Sequence, residues 1–175
     1  MISLVVIKTI SMYKKYLIKK GKHYSKPFFK FKLRLCKRKK TFYAIFSDEC
    51  WWDKPRNNDD YDINKLCGFS FGWHHKNSVR IGWVPDFKSK NEIKIYAYWY
   101  NNSNKHQIQY ICSVKTGNFV PIKIRVSEGK AIFQVDMYNT FRASFKMKKY
   151  WPGYYLYPYF GGNNKAPQNM TIFLA

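Results

Sequence analysis

The sequence predicts an all-β protein: one antiparallel two-sheet sandwich behind a short basic leader. Three observations lead there. Apolar residues recur with a period of two over most of the chain, turn signals rich in Gly and Asn fall between those runs, and helical spacing is confined to the first twenty residues. A length of 175 residues suits one core plus an appendage. With 46% hydrophobic and 20% aromatic residues the chain is globular, its burial capacity held in Tyr, Phe and Trp.

In the leader, Ile7, Ile10, Tyr13 and Leu17 recur at helical spacing among lysines, and Gly21 follows as a stop. The expectation is a basic amphipathic helix over residues 3–20, or else a loosely ordered leader, with the boundary at 26 and the sandwich over 27–175. The period then changes to two. Phe29, Phe31, Leu33 and Leu35 alternate with Lys30, Lys32 and Arg34, and the pattern recurs over 79–83, 93–99, 120–126, 141–147 and 170–174. Shorter β-rich runs at 42–46, 66–73, 107–114, 131–138 and 154–160 bring the expectation to about ten strands. The turn signals at 101–104, 115–118 and 127–130 each read as hairpins. Pro121, within a strand pattern, predicts an edge position or a bulge.

The charge is uneven. Against 10 acids stand 32 Lys and Arg, a net +22, and residues 1–40 hold 14 of the bases and no acid. Such a balance favours polyanionic partners: an anionic glycan, nucleic acid through residues 1–40, or an anionic membrane surface. Cys36, Cys50, Cys67 and Cys112 form no C-x-x-C pair, which argues against a zinc or redox site. The apolar run Ile2 to Ile7 is too short for a transmembrane segment and lacks the flanks of a signal peptide, so a cytoplasmic or particle-associated location is expected. Whether Met1 or Met12 starts the natural chain is left open.

Six of the ten acids lie between Ser47 and Asn64. Of these, Asp59, Asp60 and Asp62 are candidate calcium ligands, against the alternative that the loop pairs with nearby cations. Gly68-Phe69-Ser70-Phe71-Gly72 matches the G-x-S-x-G pattern, but no helix is expected after it, so a nucleophile elbow is not. His74 and His75 are adjacent and on a strand would point to opposite faces, so one at most would join a site. With Asn77 and Arg80 they form a set suited to hydroxyls, carboxylates or phosphates, or a polar hairpin that closes the sandwich. Tyr96, Tyr98 and Tyr100 alternate opposite Ile95, Ala97 and Trp99, either as a stacking platform or as part of the core.

Residues 150–167 are rich in Tyr, Pro and Gly. The run Tyr157-Pro158-Tyr159-Phe160-Gly161-Gly162-Asn163, leading through Ala166-Pro167 into a terminal strand, resembles the closing strands of concanavalin A-like sandwich domains, a superfamily of lectins, glucanases and polysaccharide lyases. The resemblance implies a jelly-roll sandwich with a concave glycan-binding face, and makes Tyr157 and Asn163 candidate ligand contacts. It imports no active site: Glu49, Glu92 and Glu128 are too far apart for a glucanase pair, and the lyase motifs are not matched. Three readings follow. The leading one is a non-catalytic binding or structural protein, such as a virion or surface component, engaging a glycan or other polyanion. The alternatives are a polysaccharide lyase or glycosidase on an anionic glycan, and a nucleic-acid binder acting through the leader.

Overall fold

The computed structural model describes residues 13–27, 39–127, 129–146 and 153–175. Twelve strands build two antiparallel sheets. They are β1 (Lys14–Ile18), β2 (Ser25–Lys26), β3 (Lys39–Phe46), β4 (Asn64–Phe71), β5 (Asn77–Pro85), β6 (Glu92–Asn101), β7 (Gln107–Lys115), β8 (Val120–Ser127), β9 (Lys130–Val135), β10 (Asn139–Ser144), β11 (Gly153–Leu156) and β12 (Met170–Leu174). One sheet has seven strands in the order β10-β9-β8-β3-β12-β1-β2; the other has five, in the order β11-β4-β5-β6-β7.

The period of two is realised as packing between these layers. Phe42, Ala44 and Phe46 of β3 and Ile122, Ile124 and Val126 of β8 face Phe69 and Phe71 of β4, Ile81 and Trp83 of β5, and Ile93, Ile95 and Ala97 of β6 in one buried cluster. Aromatic contacts cross the gap: Trp83 lies 5.4 Å from Phe46, and Trp99 5.5 Å from Phe141. Removing this much aromatic surface from water is the main stabilising term of the fold.

Several expectations are corrected. Residues 14–18 are a strand, not part of a helix: Tyr16 and Ile18 point inward while β1 pairs with β12 from Lys14↔Leu174 to Ile18↔Met170. The ladder and the inward pair outweigh the helical spacing of Tyr13 and Leu17. The seven-stranded sheet thus draws on residues before the boundary expected at 26, and the rest of the helix reading, with the strand expected at 29–35, lies outside the described residues. Pro121 sits on an interior strand. It pairs with Tyr43, whose backbone N–H donates to Ala175 on the far side, so the missing proline N–H leaves no gap in that ladder. The turns at 101–104 and 127–130 close hairpins, whereas Lys115–Asn118 carries the chain from β7 in one sheet to β8 in the other. Cys50, Cys67 and Cys112 are buried free thiols.

If β1 is integral to the sheet, Ile18→Ala, which opens a cavity beside β12, destabilises the protein by about 2–4 kcal/mol. Urea unfolding measures this; an unchanged midpoint would mean that β1 contributes nothing to the sandwich.

Candidate functional site

The outer face of the five-stranded sheet is covered, and β5 shows it best: it is buried at all nine positions. Alternate residues of β5 face the core, so the rest, Ser78, Arg80, Gly82 and Val84, are buried from the other side. Register lines them up with the outward residues of neighbouring strands. Gly68, Arg80, Tyr98 and Ile108 form one row across β4 to β7; Tyr154, Ser70, Ser78 and Tyr100 form the next, across β11 to β6. Gly68 has no side chain because none fits: a Cβ there would meet the Val79 carbonyl and lie 2.7 Å from the Arg80 Cα.

Over these rows runs a groove of about 560 Å³. Its walls come from two segments. The β4–β5 turn brings His74 and His75, and the chain after β11 brings Tyr157, Pro158 and Tyr159. The second wall is tied at both edges: the Tyr159 and Lys65 backbones exchange two hydrogen bonds of 2.9 Å, and Tyr24 bridges to Tyr159 from the other side. His106 closes the far side, stacked on the Tyr98 ring at 4.8 Å.

At the centre is Arg80, only 7% exposed. Its Nε donates to Ser78 Oγ at 3.3 Å and its Nη2 to the His74 carbonyl at 3.1 Å, an oxygen that also accepts from Ser78 Oγ at 2.7 Å. Its guanidinium lies 5.9 Å from the centre of the Tyr98 ring, and the Lys65 ammonium 4.9 Å from the same ring. Neither cation has a carboxylate at ion-pair distance among the described residues, where the ion pairs are Arg56–Asp60 and Lys94–Asp86. Burial, and then the charge of Arg80, pulls the Lys65 ammonium down to about 8, against the opposing charge of Asp62. Burial, Arg80 and His75 pull the His74 imidazole down to about 4, and burial lowers His75 and His106 as well. Burial, and then the hydrogen bond to Tyr100, pushes the Tyr98 phenol well up, so it stays protonated. The groove thus combines a buried and a half-buried cation with neutral imidazoles, and His74 Nδ1 lies 3.0 Å from the Tyr154 hydroxyl.

Of the residues singled out in sequence, His74, His75, Arg80, Tyr98, Tyr100 and Tyr157 meet in this groove. The expectation that only one of the adjacent histidines would join a site is corrected. They lie in a turn rather than a strand, with ring centroids 4.2 Å apart. Tyr96 lies beyond the groove against Tyr110 at 5.7 Å. Asn77 is buried beneath the turn, where its amide donates to Asn102, and Asn163 is exposed outside the groove. Lys65, His106 and Tyr154 were missed as site residues. The outward parity of Lys65 is hidden by the irregularity between Lys65 and Cys67.

Of Asp59, Asp60 and Asp62, the expected calcium ligands, Asp60 is already paired within the protein. The Asp60 carboxylate accepts from Arg56 Nη2 at 2.6 Å and from Asn164 Nδ2 at 2.7 Å; these partners hold it below the usual range although burial opposes them. Among the described residues no group of three or more His, Cys, Asp or Glu is placed to hold a metal. Ser70 Oγ is committed to the Gly72 and Asn77 carbonyls, on a strand followed by a turn and then β5, so the G-x-S-x-G match is structural.

Two antiparallel sheets with a groove on one outer face give the chain the jelly-roll sandwich fold, of concanavalin A-like architecture. No family model and no curated protein matches it. Among solved structures it is similar to the alginate lyase AlyC3 (TM-score 0.60, 10% identity, covering 94% of this chain and 73% of that one). It is also similar to an alginate lyase from Klebsiella pneumoniae (0.55, 8%, 77% and 56%) and to the PL7 alginate lyase AlyA1 from Zobellia galactanivorans (0.53, 10%, 92% and 62%). The chain therefore spans less than two thirds of the length of the last two. At these identities the likeness is one of fold.

If burial between Arg80 and His75 sets its proton affinity, His74 stays neutral on acidification down to about pH 4. An NMR titration of the ring carbons checks this; a midpoint near 6.5 would show an imidazole open to water.

Proposed function

We propose that the groove binds an anionic polysaccharide of the uronate type and cleaves it by β-elimination. The observation that carries this reading is the pair of cations, buried Arg80 and half-buried Lys65, with no carboxylate at ion-pair distance among the described residues and beside a hydrogen-bonded His74–Tyr154 pair. A fold shared with alginate lyases supports it. Of the readings left open by the sequence, this favours the lyase over the non-catalytic binder.

Elimination from a uronate needs three things: a cation on the carboxylate to acidify the adjacent C5–H, a base to take that proton, and an acid to protonate the departing oxygen at C4. Arg80 and Lys65 supply the first. With Nδ1–H donating to the Tyr154 oxygen, His74 offers an unprotonated Nε2 as base. As Nε2 takes the C5 proton, the C5–H electrons form the C4=C5 double bond. The C4–O bond breaks, and the Tyr154 hydroxyl gives its proton to the leaving oxygen. Transfer of the Nδ1 proton to the Tyr154 phenolate then restores the phenol. The bound carboxylate offsets the positive charge that depresses His74, which raises its basicity when substrate is present.

Polymannuronate, polyguluronate and polygalacturonate, tested for binding and for ultraviolet absorbance of an unsaturated product, examine the proposal. Tyr154→Phe lowers product formation by about 10²–10⁴-fold while retaining binding. Binding by the unaltered groove weakens as pH rises through about 8, because Lys65 then loses its charge. Binding of every polymer without product would replace the lyase by a lectin; neither binding nor product would leave a structural sandwich.

A further inference from the structure

The two sheets differ sharply in charge. The strands of the seven-stranded sheet carry nine basic residues and no Asp or Glu; those of the five-stranded sheet carry four and one. Inward positions of β8 and β9 are Ile122, Ile124, Val126, Ala131 and Phe133, so their alternates face away from the core. Five cations fall on that outer face, over β3, β8, β9 and β10: Lys39, Lys123, Arg125, Lys130 and Arg142.

Register arranges them. Lys39, Arg125, Ile132 and Arg142 form one row across the four strands; Thr41, Lys123, Gln134 and Thr140 form the next. At a strand separation of about 4.8 Å each row is roughly 14 Å long. Lys39 and Arg125 stand directly opposite each other, a like-charge pairing that disfavours the sheet. No acid occupies any strand position of this sheet to relieve it.

We propose that this outer face is a second docking surface for an anionic polysaccharide, on the opposite side of the sandwich from the groove. Its cations match carboxylates along a polymer, and Thr41, Gln134 and Thr140 between them offer hydrogen bonds to hydroxyls. The two rows themselves contain no aromatic ring, although Tyr43 in the next row is exposed and stacked on Phe119 at 5.3 Å, so the choice of polysaccharide over single-stranded nucleic acid follows the reading of the groove. The surface stands on its own geometry; only the identity of its occupant rests on the reading of the groove. Docking there holds the polymer on the protein independently of the groove.

The test compares the full chain with the variant Lys123→Gln/Arg125→Gln/Arg142→Gln by electrophoresis through gels containing polymannuronate, over a range of salt. The variant binds at least tenfold more weakly, and its slope of log affinity on log salt falls by about 2–3, for three lost contacts. Its circular dichroism is unchanged and its melting temperature is unchanged or higher, because the Lys39–Arg125 repulsion is relieved; if the triple variant does not fold, Arg125→Gln/Arg142→Gln replaces it and loses about two contacts. Unchanged mobility of a folded variant overturns the proposal. Tighter binding of single-stranded DNA than of polymannuronate, weakened by the same substitutions, overturns the occupant. Absence of unsaturated product from the unaltered protein would end the lyase reading and leave this comparison intact.

Discussion

The structure turns on a buried positive charge. Arg80 sits in the middle strand of the five-stranded sheet, almost wholly removed from water, with hydrogen bonds to Ser78 and the His74 carbonyl and no carboxylate at ion-pair distance. Desolvating a guanidinium without a counter-anion costs several kcal/mol. A sandwich that only had to fold would place an apolar residue there, as it does at Ile81 and Val79 on the opposite face. The rest of the groove follows from holding that charge: Gly68 leaves room beside it, Tyr98 covers it with a ring face, and the His74 turn is fastened to it.

That charge shapes the chemistry around it. Two imidazoles and one further amine feel it directly, and a third imidazole, His106, lies on the Tyr98 ring beside Lys65; each is held toward its neutral form by burial and by a neighbouring cation. Neutral imidazoles beside a fixed cation are suited to taking a proton from a carbon next to a carboxylate. A carboxylate that enters the groove relieves both strains, compensating Arg80 and raising the basicity of His74. In the proposed reaction, binding and activation of the base are thereby coupled through one electrostatic effect.

Most of the sandwich was legible in sequence, because alternation in runs such as 93–99 and 120–126 reflects a physical constraint, one face of each strand in the core. The leader was misread where local and tertiary signals compete. Tyr13 and Leu17 have helical spacing, but Tyr16 and Ile18 are buried only when the segment is a strand against β12. The row of Tyr98 and Tyr100 was ambiguous for a real reason: it lies on the outer face and is nevertheless buried, beneath the groove walls. His74 and His75 were misjudged because adjacency implies opposite faces only on a strand. Lys65 and Tyr154 could not be found by pattern, since a bulge shifts the one and only pairing with Ser70 brings the other to the site.

The most direct measurement is a pair of readings on Arg80→Met, an apolar replacement of similar length. The account predicts a folded protein whose midpoint of urea unfolding is equal to or higher than that of the unaltered chain, because an uncompensated buried charge has been removed, together with loss of polyuronate binding in the groove. A strongly destabilised Arg80→Met protein that still binds and cleaves the polymer as before would contradict it, and would make the guanidinium a structural strut.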